Sequence, residues 1–172
     1  MSLVTIGMSH KTASLDIREK LSLDKYESQK ILKKLHSMPL VDEAFLLSTC
    51  NRTELYIEIE DLQYVDNISD WLLRQKGLSM EDFENNIYSF SDSNVVRHAL
   101  NVASGLDSMV IGEPQILGQF KSAFINAHNA GTIGKNVDRL FQYAFSTAKE
   151  VRTDTKIGAN SLSLASGAVS LS

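Results

Sequence analysis

The sequence predicts an α+β protein, a ferredoxin-like βαββαβ sandwich followed by a helical segment of about three helices. Through residue 91, strand and helix patterns follow one another in the order strand, helix, strand, strand, helix, strand, which is the split βαβ arrangement. From residue 92 onward the apolar residues recur only at helical spacing. We therefore expect a sandwich over 1–91, a helical part over 92–156 and the start of a linker helix over 157–172.

The first elements are a strand and two helical stretches. The apolar segment Leu3–Met8 predicts the first strand, and a short helical piece is expected around Ile17–Leu21. Asp24 with Glu27 three residues later matches a capping box, which predicts that the next helix begins there.

A hairpin follows. The apolar run Ala44–Leu47 predicts a buried second strand that ends in a polar turn. The next stretch, Thr53–Ile59, alternates apolar and polar residues with a period of two. The short connection predicts an antiparallel pair, and the alternation predicts a third strand half exposed on its Glu54, Tyr56 and Glu58 side.

The remaining elements are mostly helical. A helix containing Trp71 is expected to end near Gly77, a small helix opens at Ser79, and residues 87–90 predict a fourth strand. Apolar positions at helical spacing then predict three helices, over about 95–103, 116–127 and 137–151, the second starting at Pro114. The Ser/Ala/Gly-rich tail suggests a junction with a further domain.

Composition limits the classes of function. The 172 residues are 43% hydrophobic and 22% charged, as in ordinary globular proteins, and the net charge of −4 disfavours a general nucleic-acid binder. The one cysteine permits no internal disulfide, and the four scattered histidines do not form a metal-binding pattern. With no apolar segment of membrane-spanning length and no signal peptide, we expect a cytoplasmic protein without a metal and without membrane contact.

The cysteine, Cys50, follows the end of the second predicted strand in the turn between the two hairpin strands. A rigid strand end with an open loop suits a reactive group, and the Arg52 charge favours a thiolate and can grip a carboxylate. Isolated cysteines are more often small buried hydrophobes. The polar neighbours on both sides of Cys50 favour the nucleophile over that alternative.

Three blocks of the sequence resemble glutamyl-tRNA reductases, and the similarity runs the whole length of the chain. The blocks are residues 7–13 (GMSHKTA), 47–56 (LSTCNRTELY) and 103–119 (ASGLDSMVIGEPQILGQ). The resemblance implies the N-terminal catalytic domain of an enzyme that makes glutamate-1-semialdehyde from glutamyl-tRNA, the first step of tetrapyrrole synthesis by the five-carbon route.

The resemblance also implies which residues act. Cys50 would attack the ester carbonyl and hold a glutamyl thioester, and His98 would serve as a general acid or base. A helix-surface or core histidine is the plainer interpretation of His98, which lies among apolar neighbours. The substrate-binding residues implied by the resemblance are Thr49, Asn51, Arg52, Ser108, Glu113, Pro114, Gln115 and Gln119.

The family uses NADPH, but this chain contains no G-x-G-x-x-G after a strand, so no cofactor-binding residues are expected in it. The fragment alone would then handle the substrate without reducing it. Implied partners are glutamyl-tRNA, a second copy of the full-length protein through an absent C-terminal domain, and the next enzyme of the pathway, an aminomutase.

Two other functions stay open at this point. Cys50 with His98 could form a cysteine-dependent esterase or acyltransferase. The βαββαβ order also occurs in RNA-recognition modules, which stack bases on aromatic side chains of the central strands. The third strand here offers only Tyr56 for that purpose.

Overall fold

The computed structural model describes residues 1–158, which form a mixed α/β fold with one four-stranded antiparallel sheet. Its strands are β1 (Ser2–Ser9), β2 (Val41–Ser48), β3 (Arg52–Ile59) and β4 (Tyr88–Ser91). The helices are α1 (Leu15–Leu21), α2 (Lys25–His36), α3 (Val65–Arg74), α4 (Met80–Phe83), α5 (Ser93–Ser104), α6 (Gln115–Ala130) and α7 (Lys135–Asp154). Short 3-10 turns lie at Leu62–Tyr64 and Lys156–Gly158.

The sheet order is β2-β3-β1-β4, and every neighbouring pair is antiparallel. The β2–β3 hairpin predicted from the sequence is therefore present. In the β1–β3 register Ser9 lies opposite Arg52, so the end of β1 meets the beginning of β3 beside the hairpin turn. This arrangement brings residues from three parts of the chain to one end of the sheet.

The predicted exposure of β3 was wrong, because all eight of its residues are buried. Tyr56 is fully buried and makes ring contacts with His98 of α5, Phe120 of α6 and Phe141 of α7. The alternating pattern came from a polar network on that side and did not indicate solvent. Helices α5, α6 and α7 cover this face, and α1, α2 and α3 also contact the sheet.

Carboxylate side chains cap the starts of helices α2 and α7. The predicted capping box of α2 is present, with Asp24 accepting from the Glu27 amide and the Glu27 side chain accepting from the Asp24 amide. Helix α7 is capped from a distance, because the Glu43 carboxylate of β2 accepts hydrogen bonds from the amides of Asn136 (3.0 Å) and Val137 (2.7 Å). A buried carboxylate satisfies amides there that would otherwise lack partners.

The three helices expected after residue 92 are α5, α6 and α7, and α6 begins directly after Pro114 as expected. Between α5 and α6 the chain turns at Gly105 (φ 77°) and Gly112 (φ 79°), and the Gly112 amide donates to the Gly105 carbonyl oxygen at 2.9 Å. Glycine adopts such positive φ values without strain. The resulting compact loop, residues 105–114, carries Ser108, Glu113 and Pro114, which are three of the five substrate-binding residues predicted in this block.

The predicted linker helix over 157–172 lies outside the described residues except for its first two, which belong to the final 3-10 turn. No helix among residues 1–158 combines the length and apolar character needed to cross a membrane.

Candidate functional site

Cys50 lies exposed in the turn between β2 and β3. The Thr49 hydroxyl shapes this turn by accepting from the amides of Asn51 and Arg52, both at 3.2 Å. The Thr49 amide donates to the Arg52 carbonyl oxygen at 2.8 Å, closing the turn. The thiol therefore stands on a backbone fixed by hydrogen bonds, and the buried-hydrophobe interpretation of Cys50 does not fit its exposure.

Two neighbouring segments brace the turn from outside. The His10 amide, just beyond β1, donates to the Asn51 carbonyl oxygen at 2.8 Å. Arg18 of α1 donates from Nε to the Cys50 carbonyl oxygen at 3.2 Å and from Nη1 to the Ala13 carbonyl oxygen at 2.7 Å. These contacts hold the backbone of Cys50 while its side chain stays free.

Arg52 is buried, with 1% of its side chain exposed, and it is already paired. Its Nη1 donates to Oε1 of Glu54 at 2.6 Å, and its Nη2 donates to Oδ2 of Asp107 at 2.9 Å and to the Asp107 backbone oxygen. Asp107 also pairs with Lys11, which is 60% exposed. The guanidinium thus connects the start of β3 to the loop that carries Ser108.

Glu54 is the centre of this buried network. Its Oε1 accepts from Arg52, from the Tyr88 hydroxyl at 2.5 Å and from Nε2 of His98 at 2.8 Å, and its Oε2 accepts from the Tyr56 hydroxyl at 2.7 Å. A fully buried carboxylate needs such donors to remain ionised. Glu54 therefore holds the Arg52 side chain in place inside the protein.

The electrostatics follow from these contacts. Burial acts to raise the pKa of Glu54, but the His98 hydrogen bond and the Arg52 charge outweigh it and hold this pKa at about 2. Burial and the nearby Glu54 charge raise the pKa values of the Tyr56 and Tyr88 hydroxyls. For Arg52, burial acts to lower the pKa, but the Glu54 charge prevails and raises it. The Arg52–Glu54 ion pair therefore stays charged near neutral pH, and the Tyr56 and Tyr88 hydroxyls beside it stay protonated.

His98 lies on the Glu54 side of the network. Its ring packs near Phe90 (4.8 Å between centroids) and Tyr88 (5.6 Å), and its side chain is 12% exposed. This is the environment of a core histidine bonded to a carboxylate. His98 is connected to the Cys50 hairpin turn through Glu54, which bonds to Arg52.

Side-chain contacts hold the 105–114 loop near both of its ends. Asp107 joins it to Arg52, and Arg152 in the last turn of α7 donates to the carbonyl oxygens of Gly112 (3.4 Å) and Glu113 (2.7 Å). Ser108 is therefore held next to the Arg52 pair, while Glu113 and Pro114 stand at the start of α6. The amides of a helix start favour an anionic group.

Gln115 and Gln119 line a cavity of about 590 Å³ together with Ser48, the last residue of β2. This cavity begins beside the cysteine turn and extends between α2 and α6. The structure thus brings the two glutamines to the Cys50 end of the sheet, and the Arg52–Asp107 pair brings the neighbouring Ser108 to the start of β3.

Sequence reasoning missed Glu54, Asp107, Tyr88 and Arg18, which organise the site without matching a short motif. The sequence indication that Glu54 is buried lay in the helices that follow it. Three amphipathic helices after residue 92 need a sheet face to cover, so an alternating strand before them need not face solvent.

A cluster of acidic residues elsewhere has a structural explanation. Asp42, Glu43 and Glu58 have carboxylate oxygens within 4.8 Å of one another. Glu43 caps α7, and Glu58 accepts from the Asn136 side chain at 2.7 Å. A Cβ atom at Gly134 would lie 2.4 Å from Glu43, which shows how tightly this cap is packed.

Comparisons with known proteins agree on one family. The family profile described as "Glutamyl-tRNAGlu reductase, N-terminal domain" matches residues 6–155. The chain is 50% identical over 171 residues to glutamyl-tRNA reductase of Pseudomonas syringae pv. syringae and 46% identical over 171 residues to that of Marinomonas sp., covering 99% of this chain and 40% of each relative.

A solved structure agrees with these sequence matches. The structure of glutamyl-tRNA reductase from Methanopyrus kandleri aligns with a TM-score of 0.79 at 29% identity, covering 98% of this chain and 39% of that chain. The chain thus spans about 40% of the length of the relatives it matches. On the family match, the identities and this fold, the chain belongs to the glutamyl-tRNA reductase N-terminal domain family.

Proposed function

We propose that this chain is the catalytic, substrate-binding part of a reductase that converts glutamyl-tRNA to glutamate-1-semialdehyde for tetrapyrrole synthesis. The observation that carries the proposal is the exposed Cys50 on a turn fixed by Thr49, His10 and Arg18. A nucleophile needs such an accessible but positioned atom. The names and identities of the relatives support the substrate and reaction class.

The first step is an acyl transfer. The Cys50 thiolate attacks the ester carbonyl carbon, a carbon–sulfur bond forms, and the ester carbon–oxygen bond breaks. The 3′-terminal oxygen of the tRNA leaves and takes up a proton, which balances the proton that the Cys50 thiol loses, and a glutamyl thioester remains. A thioester is a better hydride acceptor than an ester, so covalent catalysis divides one hard step into two easier ones.

The buried network supports this step by placing Arg52. Asp107 is the partner of Arg52 with solvent access (15% exposed), and Lys11 can compensate its charge. We propose that a glutamyl carboxylate reaches Arg52 on the Asp107 side, while Glu54 keeps the other guanidinium nitrogen. His98 then acts as a positioning residue through Glu54, in place of the direct acid–base role expected from the sequence.

The remaining predicted residues fit the same proposal. Thr49 and Asn51 form the turn itself, Ser108 adjoins Asp107, and Gln115 and Gln119 border the cavity beside Ser48. Glu113 and Pro114 shape the start of α6, where free amides suit a carboxylate. We propose that each of these residues contacts the glutamyl group or shapes the site that holds it.

Reduction needs a hydride donor, which in this family is NADPH. Residues 1–158 do not fit a dinucleotide, because their sheet contains only antiparallel pairs and so lacks the parallel βαβ unit with a glycine-rich turn. We therefore assign hydride transfer to parts of the full-length protein beyond this chain. The reaction derived from the residues described ends at the thioester.

Other expectations follow from the family and stand as proposals. These are a ferredoxin-like classification for the sheet, supported by the order β2-β3-β1-β4, and the division of the chain near residues 91 and 156. Dimerisation through a domain outside this chain, contact with an aminomutase and a cytoplasmic location belong with them.

The two alternative functions are disfavoured. The comparisons give no support to an esterase or acyltransferase. An RNA-recognition surface on the sheet conflicts with the burial of Tyr56, which cannot stack on a base.

Intact-protein mass spectrometry tests the proposal directly. The chain is mixed briefly with glutamyl-tRNA, quenched in acid and compared with Cys50→Ser. We expect a glutamyl adduct on the wild type and none on the variant. An adduct that persists on Cys50→Ser would show that another residue accepts the acyl group, and no adduct on the wild type would contradict acylation by this chain alone.

A further inference from the structure

The cavity beside the cysteine turn is larger than the proposed glutamyl contacts require. Its volume of about 590 Å³ lies within the roughly 300–1,000 Å³ typical of small-molecule sites. Beyond Ser48 and the two glutamines it continues between α2 and α6. That outer part is lined by Leu23, Lys25, Leu46, Gly118, Ala123 and Asn126.

Gly118 lies on the exposed side of α6 at the mouth of this cavity. It lies inside α6, where glycine is a poor helix former, and it does not have a positive φ. A Cβ atom built on it would meet no atom within 4 Å. Packing among the described residues therefore does not require a glycine there, and the exposed backbone of α6 at Gly118 is open to the close approach of a ligand.

Asn126 provides a second indication. Its side chain is 94% buried, with a 6% exposed fraction, and its Nδ2 donates to the Lys25 carbonyl oxygen at 3.3 Å. Its Oδ1 has no hydrogen-bond partner among residues 1–158. A buried amide oxygen without a donor is costly, so a ligand that supplies a donor would satisfy it.

We propose that the outer part of this cavity binds the 3′-terminal adenosine of the aminoacyl-tRNA whose glutamyl group Cys50 accepts. This inference rests on the proposed function and extends it to the nucleoside. Leu23, Leu46 and Ala123 give apolar surface for the face of the base. An asparagine amide can pair with the edge of adenine, whose amino group is a donor for Oδ1.

The cavity lies close enough to Cys50 for one substrate to contact both the thiol and the outer part of the cavity. Ser48 lines the cavity and precedes Cys50 by two residues, which separates them by at most roughly 7 Å even for a fully extended chain. The ester carbonyl and the adenine of the same nucleotide are separated by a distance of that order. Lys25 at the α2 side is positioned to meet the phosphate that continues the RNA chain.

The test compares two acyl donors on two variants of the full 172-residue chain. Gly118→Leu puts a side chain into the cavity, and Asn129→Leu puts the same side chain on an exposed position of the same helix as a control. The donors are glutamyl-tRNA and S-ethyl glutamyl thioester, which lacks a nucleoside. Acylation of Cys50 is followed by intact mass, and folding is checked by circular dichroism and thermal unfolding.

We expect Gly118→Leu to fold normally, to slow acylation from glutamyl-tRNA at least tenfold and to leave acylation from the small thioester within twofold. Asn129→Leu should change neither rate. Equal slowing with both donors would mean that Gly118→Leu hinders the glutamyl group and not the nucleoside, which would overturn the inference. Unchanged rates with both donors would overturn it as well.

Direct binding separates this inference from the proposed function. The trinucleotide CCA, which carries no amino acid, is titrated into the chain and followed by NMR. We expect saturable shifts at amides around Gly118 and Asn126 that disappear in Gly118→Leu and remain in Asn129→Leu. Binding of CCA without acylation from any donor would reject the thioester step alone, and no binding of CCA would reject the adenosine site.

Discussion

Arg52 and Asp107 are 55 residues apart in sequence but form an ion pair of 2.9 Å at the edge of the site. This pair attaches the loop between α5 and α6 to the first residue of β3. Because Cys50 lies two residues before Arg52, the pair also sets how the loop with Ser108 stands relative to the thiol.

The first prediction concerns that pair. Asp107→Asn removes one charge beside a buried guanidinium, and we expect the free energy of unfolding to fall by about 1–3 kcal/mol. Asp70→Asn removes the exposed pair with Arg74 and should cost less, because solvent screens a surface ion pair. Urea denaturation of both variants measures the difference. Equal losses would mean that the Arg52 pair contributes no more than a surface pair.

The second prediction is that Cys50→Ser leaves the fold nearly unchanged. The side chain is exposed, so its replacement should alter the free energy of unfolding by less than about 0.5 kcal/mol. Thermal unfolding next to the wild type checks this. A large loss of stability would contradict the exposed position of Cys50 and favour its interpretation as a buried packing residue.

The third prediction concerns acid. The pKa of Glu54 is about 2 in the folded chain against 4.5 for an ordinary glutamate. A lowered folded-state pKa stabilises the protein above the unfolded-state value, and that stability is lost as the pH falls from 4.5 towards 2. The shift corresponds to roughly 3 kcal/mol at 1.36 kcal/mol per unit. Urea denaturation of the wild type across this window measures the loss.

Glu54→Gln is the control for the acid prediction. It leaves the buried Arg52 with less compensating charge and should be destabilised by about 3–5 kcal/mol at pH 7. Protonation of Glu54 makes the wild type resemble the variant, so the gap between the two should shrink as the pH falls from 4.5 to 2. A constant gap would contradict the assignment of the low pKa to Glu54.

The fourth prediction contrasts two glycines. A Cβ atom at Gly7 of β1 would lie 2.8 Å from Cγ of Glu54 and 3.0 Å from the Tyr88 hydroxyl, so Gly7→Ala must displace the network and should cost about 1–3 kcal/mol. Gly118→Ala meets open space in a helix and should add about 0.5–1 kcal/mol of stability. Thermal unfolding of both variants tests the contrast, which fails if they shift in the same direction.

The sequence was informative where the signal is local. The capping box at Asp24, the helix start after Pro114 and the hairpin around Cys50 depend on residues close together in the chain, and all three are present. The interpretation of β3 failed because a period of two reports which side chains share a face and does not tell what covers that face.

The network around Glu54 needed the structure. Its members come from β3, β4, α5 and the loop after α5, which are brought together by sheet order and helix packing. Local patterns carry no information about such distant partners. The roles of Ser108 and the glutamines likewise remain predictions based on family resemblance.

Strand β3 has a consequence for the dynamics of the site. It is bonded to a strand on each side, and all of its residues are buried, so its amide hydrogens should exchange with solvent only through global unfolding. The exposed turn that precedes it should exchange faster at amides without partners. Cys50 therefore lies within two residues of the segment that we expect to exchange most slowly in the described chain. Its thiol is accessible to a substrate while its backbone is held by a rigid strand.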